Sequence, residues 1–380
     1  MKATKVTISH LIIVMLLAGI TMMSCSERRV ISISPQDQIC NDSTMLAITD
    51  TIILTIDSAM NPIPFVSQIF TQNGNDHYFV LDNRKLYDYN LDQKILESIH
   101  TLDTLPPLDN LSGFRILDDG AVYYDYKSGS VFILNSEGTI INKIPINFDH
   151  GIDCWGISGT EVIGNNDVVY LSGPPSKASG FVEDYNNTTL FINPKSKTVK
   201  VGGKRSDIYR DFSLGRDYYW RVFHTIDDEG KLYISLPGST EVYVFDEEMN
   251  LIREFTMNSR YNTSLMESDK DMTHTEEKKY YLSQDSFGTI TYDSDNDLIY
   301  RIATHPYLHA NINGKTLKPF SIIVADKDGK IVTETPIINT DNSMYYDVMF
   351  ATSKGLYMQI DSEDENLIKF VIFKLEKNDI

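Results

Sequence analysis

The sequence predicts an all-β protein, a six-bladed β-propeller of four-stranded blades in which an N-terminal strand closes the last blade. Short runs of β-branched and aromatic residues recur along the chain, with turns of Asp, Asn and Gly between them. Helical periodicity is nearly absent. The runs also group by fours into units that repeat at intervals of roughly 45 to 65 residues, an interval that suits large blades.

The fourth unit shows the repeat most clearly. Its strands, named A to D, are Arg221–Ile226, Lys231–Leu236, Glu241–Phe245 and Leu251–Phe255. The A–B and C–D turns are short and rich in Asp and Glu with Gly or Asn, as tight hairpins require. The other five units follow the same order and begin at Phe65, Gly113, Gly159, Thr289 and Tyr346.

The last unit and the first segment complement each other. The sixth unit lacks strand D, whereas the β-rich segment 45–56 precedes the first unit and has no partner of its own. Pairing the two closes the ring and covers two strand edges. Because the third unit is degenerate, five or seven blades remain open, as does a set of β-sandwiches.

The N-terminus predicts export. Lys2 and Lys5 precede the apolar run Leu11–Ile20, which is shorter than the roughly 20 residues that a membrane span needs. Cys25 follows Thr-Met-Met-Ser, which resembles a bacterial lipobox with Met22 in place of the more usual Leu. That resemblance implies cleavage before Cys25 and lipid on its sulfur and new amino group. An ordinary signal peptide with a coincidental cysteine is the alternative.

We therefore expect a lipoprotein signal peptide over residues 1–24, a polar tether over 25–43 and a propeller over 44–380. The expected location is the bacterial cell envelope, where the protein is anchored by lipid in the outer membrane and faces the periplasm or the cell surface. The membrane is the first predicted partner, through the N-terminal lipid.

Composition narrows the other partners. The 380 residues include 53 Asp+Glu and 34 Lys+Arg, a net charge of −19, which argues against nucleic-acid binding. Three cysteines exclude a disulfide scaffold and a multi-cysteine metal site, and whether Cys40 and Cys154 pair stays open. We expect no cofactor.

The chain also resembles an uncharacterised Bacteroidota family of propeller-type lipoproteins. The resemblance rests on Leu86-Tyr-Asp-Tyr-Asn-Leu, Ile299-Tyr-Arg-Ile-Ala-Thr-His-Pro and the lipobox at Cys25, and it covers essentially the whole mature chain. That family has no assigned activity, so the resemblance implies a fold and an address only.

The long connections predict where a ligand binds. In antiparallel blades the B–C and D–A connections lie on one face of the disc, and the long ones adjoin units three to five. We call this end the loop-rich face. Its richest stretch combines arginines with aromatic residues, which suits an acidic ligand, a sugar ring or a peptide. The ligand-binding candidates are Arg205, Tyr209, Arg210, Arg216, Tyr218, Tyr219, Trp220, Arg221, His224, His305 and Tyr307. The alternative is blade packing with Arg–Asp surface pairs.

Metal signals are weak. His305 and His309 are four apart, but Pro306 prevents the helix that would align them as zinc ligands. The turn Asp293–Asp297 starts like a calcium loop but lacks its Gly and its bidentate Glu. We therefore predict no metal site.

These patterns favour a non-enzymatic binding module for a glycan, peptide, acidic small molecule or envelope protein. A hydrolase or lyase acting on a polysaccharide or peptide is the alternative. It requires a pair of carboxylates or a histidine with a perturbed pKa at the channel mouth, and the candidates are His224 and, near it, Asp211 or Asp217. A structural subunit with a flat apolar patch is the third possibility. Enzymatic activity is thus left open, with binding favoured.

Overall fold

The computed structural model describes residues 30–32, 44–64, 66–72, 74–82, 84–107, 111–146, 152–156, 160–165, 167–175, 186–215, 218–262, 264–269, 272–306, 318–337 and 344–377. Within them, six four-stranded antiparallel sheets follow one another around a ring. The strands are numbered β1 to β26 in chain order.

Each of the first five blades uses four consecutive strands. Blade one contains β3 (Ser67–Gln72), β4 (Asn75–Asp82), β5 (Lys85–Asn90) and β6 (Ile95–Thr101). Blade two contains β7 (Gly113–Leu117), β8 (Gly120–Asp125), β9 (Ser130–Asn135) and β10 (Ile140–Pro145). Blade three contains β11 (Ile163–Gly164), β12 (Val169–Ser172), β13 (Thr189–Asn193) and β14 (Thr198–Gly202).

Blades four to six complete the ring. Blade four contains β15 (Phe223–Ile226), β16 (Leu232–Ser235), β17 (Glu241–Phe245) and β18 (Leu251–Thr256). Blade five contains β20 (Ser286–Asp293), β21 (Leu298–Thr304), β22 (Phe320–Asp326) and β23 (Ile331–Ile337). Blade six contains β24 (Met344–Thr352), β25 (Gly355–Ile360), β26 (Leu367–Lys377) and β2 (Thr44–Thr55).

The N-terminal strand closes the ring, as the sequence predicts. Strand β2 pairs antiparallel with β26, from Thr44 opposite Lys377 to Thr55 opposite Leu367. The count is six blades, and the degenerate third unit keeps all four strands although β11 is only two residues long. The five- and seven-bladed alternatives and the β-sandwich alternative are thereby excluded.

The core is divided among the blade interfaces. The described residues form six hydrophobic clusters, one between each pair of neighbouring blades. Between blades six and one, Leu54 of β2 packs with Tyr78 and Phe370, whose rings meet edge to face at 4.9 Å. Burying a side chain of this size contributes about 1.5 to 3 kcal/mol to folding. Because β2 supplies Leu54, ring closure by β2 also completes the interface between blades six and one.

The connections carry the remaining elements. Two helices lie in the described residues, α1 (Ile208–Asp211) before blade four and α2 (His274–Ser283) before blade five. A capping box, in which Thr273 and Glu276 bond each other's backbone N–H groups, starts α2. In addition, β1 (Val30–Ser32) pairs with β19 (Ser264–Met266), which lies in the connection into blade five. Neither described helix has the length and apolar character needed to cross a membrane.

Candidate functional site

The loop-rich face carries the longest connections. The links into blades four and five span residues 203–222 and 257–285, and the B–C loops of blades three and five span 173–188 and 305–319. Each is only partly within the described residues. All four leave the same end of the antiparallel sheets, so they surround one mouth of the central channel.

Polar residues on or beside the innermost strands surround the channel. Gln68 of blade one accepts a hydrogen bond from the Ile116 amide of blade two at 3.0 Å. Arg115 of blade two interacts with Glu161 of blade three, and Arg221 of blade four interacts with Asp347 of blade six. The channel is therefore polar where the blades converge.

Arg221 lies among aromatic side chains at this mouth. Its guanidinium carbon lies 5.5 Å from the centre of the Tyr218 ring and 6.0 Å from that of Trp155. Tyr218 in turn stacks on Tyr281 of α2, with the ring centres 4.7 Å apart and the planes at 13°. The buried Nε of Arg221 has no hydrogen-bond partner in the part of the chain that the structure describes. An arginine framed by aromatic faces therefore retains hydrogen-bonding capacity for an anion.

Asp347 interacts with Arg221 from a bulge. The register of β24 shifts between Tyr345 and Met349, so the bulge sets the direction of the Asp347 side chain. Burial raises the pKa of Asp347, while Arg221 and the Thr289 hydroxyl oppose that rise. The carboxyl group is thus suited to hydrogen bonding with a ligand's hydroxyl or amide groups.

A buried lysine lies beneath the aromatic stack. Lys318 donates to the Gln284 carbonyl at 2.6 Å and to Ser286 Oγ at 3.0 Å, and its Nζ lies 4.3 Å from the centre of the Tyr281 ring. Burial lowers the pKa of Lys318 to about 7, and Asp285 opposes that shift. Burial also raises the pKa of Tyr281. The floor of the mouth is therefore shielded from water.

Several predicted ligand-binding residues are packed inside the loops. Arg205 is only 1% exposed, donates to the Gly173 carbonyl at 3.1 Å and lies 5.0 Å from the centre of a Trp220 ring. The Tyr209 hydroxyl accepts from the Gly238 amide at 2.8 Å. Trp220 Nε1 donates to the Gly215 carbonyl at 2.6 Å. These contacts fit the packing alternative, because they hold the loops against blades three and four.

Tyr219 and Arg210 follow the same pattern. Tyr219 is buried and donates to the Asp285 carbonyl at 2.7 Å. Arg210 is exposed and pairs with Asp207 and Asp211, each at 2.9 Å. Of the predicted stretch, the structure brings Tyr218 and Arg221 to the mouth. Arg216, Tyr307 and Cys25 lie outside the described residues, as do His309 and Asp217.

His224 lies between blades three and four. Its Nε2 donates to the Glu161 carbonyl at 2.6 Å, so its Nδ1 accepts from the Ser172 hydroxyl at 2.5 Å. Burial lowers the pKa of His224 to about 4. Asp211 instead pairs with Arg210 at the surface. His224 thus has the perturbed pKa that the catalytic alternative looks for, but its two ring nitrogens bond Ser172 and Glu161, and Asp211 has a different partner.

The other sequence candidates serve local structure. His305 lies with Nε2 at 3.1 Å from Ser321 Oγ and Nδ1 at 3.8 Å from Asp285. Asp293 caps its own turn by accepting from the amides of Asp295 and Asn296.

Cys154 is a free, buried thiol, and burial raises its pKa. Cys40 lies outside the described residues.

Sequence reasoning missed Trp155, Tyr281, Lys318 and Asp347. Each comes from a different stretch of the chain, and the folded propeller brings the four stretches to one mouth. An alignment of the six units on strand A could have indicated Asp347. It places Asp347 near the start of β24, much as Arg221 lies just before the start of β15.

Similar structures share this fold. A DUF4221 family member from Bacteroides vulgatus ATCC 8482 is 18% identical, with a TM-score of 0.72 over 88% of this chain and 99% of that one. A protein described as exported, from Bacteroides fragilis NCTC 9343, is 10% identical, with a TM-score of 0.55 over 90% of this chain and 98% of that one. No curated protein matches the sequence. The family model "Domain of unknown function (DUF4221)" matches residues 43–336, and the chain therefore belongs to the DUF4221 family.

Proposed function

We propose that this propeller is a lipid-anchored binding module of the cell envelope, which holds an acidic glycan or peptide at the channel mouth. The observation that supports it is Arg221, placed between Trp155 and Tyr218 with a buried Nε that lacks a hydrogen-bond partner in the described structure. Leaving such a donor unsatisfied costs about 1 to 3 kcal/mol, which a bound acceptor recovers.

The mouth offers complementary groups to one ligand class. The guanidinium binds a carboxylate through paired hydrogen bonds. The Trp155 ring offers a flat apolar surface to a sugar ring or a peptide side chain, while Tyr218 stacks on Tyr281 and holds Arg221 in place. Asp347, whose pKa burial raises, supplies a hydrogen-bonding carboxyl group. A carboxylate-bearing sugar or acidic peptide uses all three.

Calorimetric titration tests the proposed site. The probes are an oligogalacturonate, a neutral oligosaccharide of equal length and an acidic peptide. Arg221→Gln removes the charge and should weaken binding of the acidic probe at least tenfold, since a charge-assisted hydrogen bond contributes about 1.5 to 3 kcal/mol. Arg210→Gln is the matched control, because Arg210 is exposed and already paired with two aspartates; it should change the affinity less than twofold.

Two results would overturn the site. Either none of the acidic probes binds, or Arg210→Gln weakens binding as much as Arg221→Gln. Chromatography of the same mixtures reports cleavage, and shorter products would favour the hydrolase or lyase alternative.

The anchor requires its own test. The lipobox resemblance at Cys25 supports lipid attachment, and the related Bacteroides fragilis protein is described as exported. Metabolic labelling with an alkyne-bearing palmitate should mark the wild-type chain. Cys25→Ala should abolish the label and release the protein from washed membranes, because the acyl chains supply the membrane affinity. Labelling of Cys25→Ala equal to wild type would contradict the anchor.

A further inference from the structure

Blade one brings three potential metal ligands together far from the channel mouth. His77 of β4, Asp88 of β5 and Glu97 of β6 lie on neighbouring strands. His77 Nδ1 lies 2.8 Å from Asp88 Oδ1 and 3.9 Å from Glu97 Oε2. One ligand atom from each residue lies within 4.8 Å of the other two. We call these residues the blade-one cluster.

We propose that the blade-one cluster binds a divalent transition metal, with zinc as the best match. Metal–ligand bonds of about 2.0 to 2.1 Å in a tetrahedron place ligand atoms about 3.3 Å apart. The two distances from His77 Nδ1 bracket this separation, so small side-chain movements suffice to complete the coordination. An imidazole with two carboxylates is also a donor set that zinc accepts.

The residues around the cluster hold its ligands in place. The His77 ring is buried and stacks on Phe79, with the ring centres 6.0 Å apart and the planes at 18°. Glu97 uses its other oxygen, Oε1, to accept a hydrogen bond from Asn90 Nδ2 at 2.8 Å. Fixing the second oxygen of a ligating carboxylate is a typical outer-shell arrangement in metal sites.

A cavity beside the cluster supplies an independent observation. It has a volume of about 320 Å³, lies between blades one and two, and includes Asp88 and Phe79 in its wall. Three protein ligands leave one tetrahedral position, which is the arrangement of zinc sites that accept water or a small donor ligand. The wall of this cavity thus connects the metal site to a space of ligand size.

Metal titration tests the proposal. Protein treated with a chelator and dialysed is titrated with Zn²⁺ by calorimetry, and one equivalent should bind. Co²⁺ in place of zinc should give the visible absorption of a tetrahedral site. His77→Ala and Glu97→Gln should each weaken zinc binding at least about 100-fold, because outer-shell changes alone cost 10- to 100-fold.

His100→Ala is the matched control. His100 lies on β6 in the wall of the same cavity, but it hydrogen bonds Ser98 instead of joining the cluster. This variant should keep the wild-type affinity. The proposal fails if wild-type protein binds no zinc, or if His100→Ala loses as much affinity as His77→Ala. Glu97 is exposed, so Glu97→Gln should leave folding intact, as circular dichroism will report.

Discussion

At the scale of single residues, His224 shows how burial determines chemistry. In its neutral form the imidazole has a hydrogen-bond partner for both ring nitrogens. Nδ1 accepts from the Ser172 hydroxyl, and Nε2 donates to the Glu161 carbonyl. A protonated ring could not accept from Ser172, and its charge would be buried among the strands of two blades. Burial therefore lowers the pKa of His224 from an ordinary 6.5 to about 4.

This shift predicts acid sensitivity. Between pH 6.5 and 4 the unfolded chain binds a proton that the folded chain excludes, so the free energy of unfolding falls as the pH falls. The loss attributable to His224 is on the order of 3 kcal/mol by pH 4. Urea unfolding of wild type and His224→Gln at pH 7 and pH 4.5 measures it. Equal pH dependence in the two proteins would show that His224 does not titrate in this way.

At the scale of elements, the C–D hairpins repeat a backbone shape that the residue types do not show. The residue near the end of each turn has a positive φ in blades one to five. These residues are Lys94 (φ 59°), Gly138 (76°), Lys197 (59°), Met249 (67°) and Gly329 (86°). In four of these blades a bulge in the C–D pair accompanies the turn. A type I turn followed by such a bulge is a common hairpin connection.

Lys94 pays a conformational cost in that shape. The left-handed conformation costs a residue other than Gly roughly 1 to 2 kcal/mol. Replacing that residue with Gly removes this cost, but part of the gain is lost because Gly also gives the unfolded chain more conformational freedom. Lys94→Gly should therefore raise the free energy of unfolding by up to about 1 kcal/mol. Gln93→Gly, in the same turn, should lower it. Urea unfolding at neutral pH compares them, and a destabilised Lys94→Gly protein would contradict the explanation.

At the scale of the whole molecule, the closed ring makes distant blades depend on one another. The chain has two tryptophans, Trp155 and Trp220, both in connections near blades three and four. Their fluorescence reports unfolding of that region, whereas circular dichroism reports all strands. Leu54 lies in the interface between blades six and one, across the ring from both tryptophans.

We expect Leu54→Ala to shift the tryptophan transition as much as the circular dichroism transition. The loss should be about 2 to 5 kcal/mol, the usual cost of a cavity at a buried leucine, because a closed ring unfolds as one unit. Ile53→Ala is the matched control, since Ile53 is adjacent on β2 but 46% exposed. A tryptophan transition unaffected by Leu54→Ala would show that the blades unfold separately.

The sequence predicts the fold better than the site, for a physical reason. Strand periodicity and turn residues are local features of the sequence. They therefore reveal the four-strand units and the absence of strand D from the sixth unit. The sequence does not reveal the burial of Arg205. Arginine is ordinarily exposed, and Arg205 is buried because it packs on Trp220 and Tyr209. Lys318 meets Tyr281 because blade five brings its B–C loop against the helix that precedes β20, and Asp347 comes within electrostatic range of Arg221 because blades four and six converge on one channel. The blade-one cluster likewise spans three strands, and no spacing in the sequence announces it.

The pairing of β1 with β19 has a consequence for orientation. It attaches Val30–Ser32 to the connection into blade five, on the same end of the disc as Arg221. Five residues span at most about 18 Å when fully extended, so a lipid on Cys25 would hold that end close to the bilayer. The opposite end of the disc, which carries the A–B and C–D turns, would then point away from the membrane. Ligands would enter sideways through a narrow gap, which favours molecules lying along the membrane over bulky soluble polymers. Quenching of Trp155 and Trp220 by brominated lipids in vesicles carrying the lipidated protein measures this approach, and unquenched emission would rule it out.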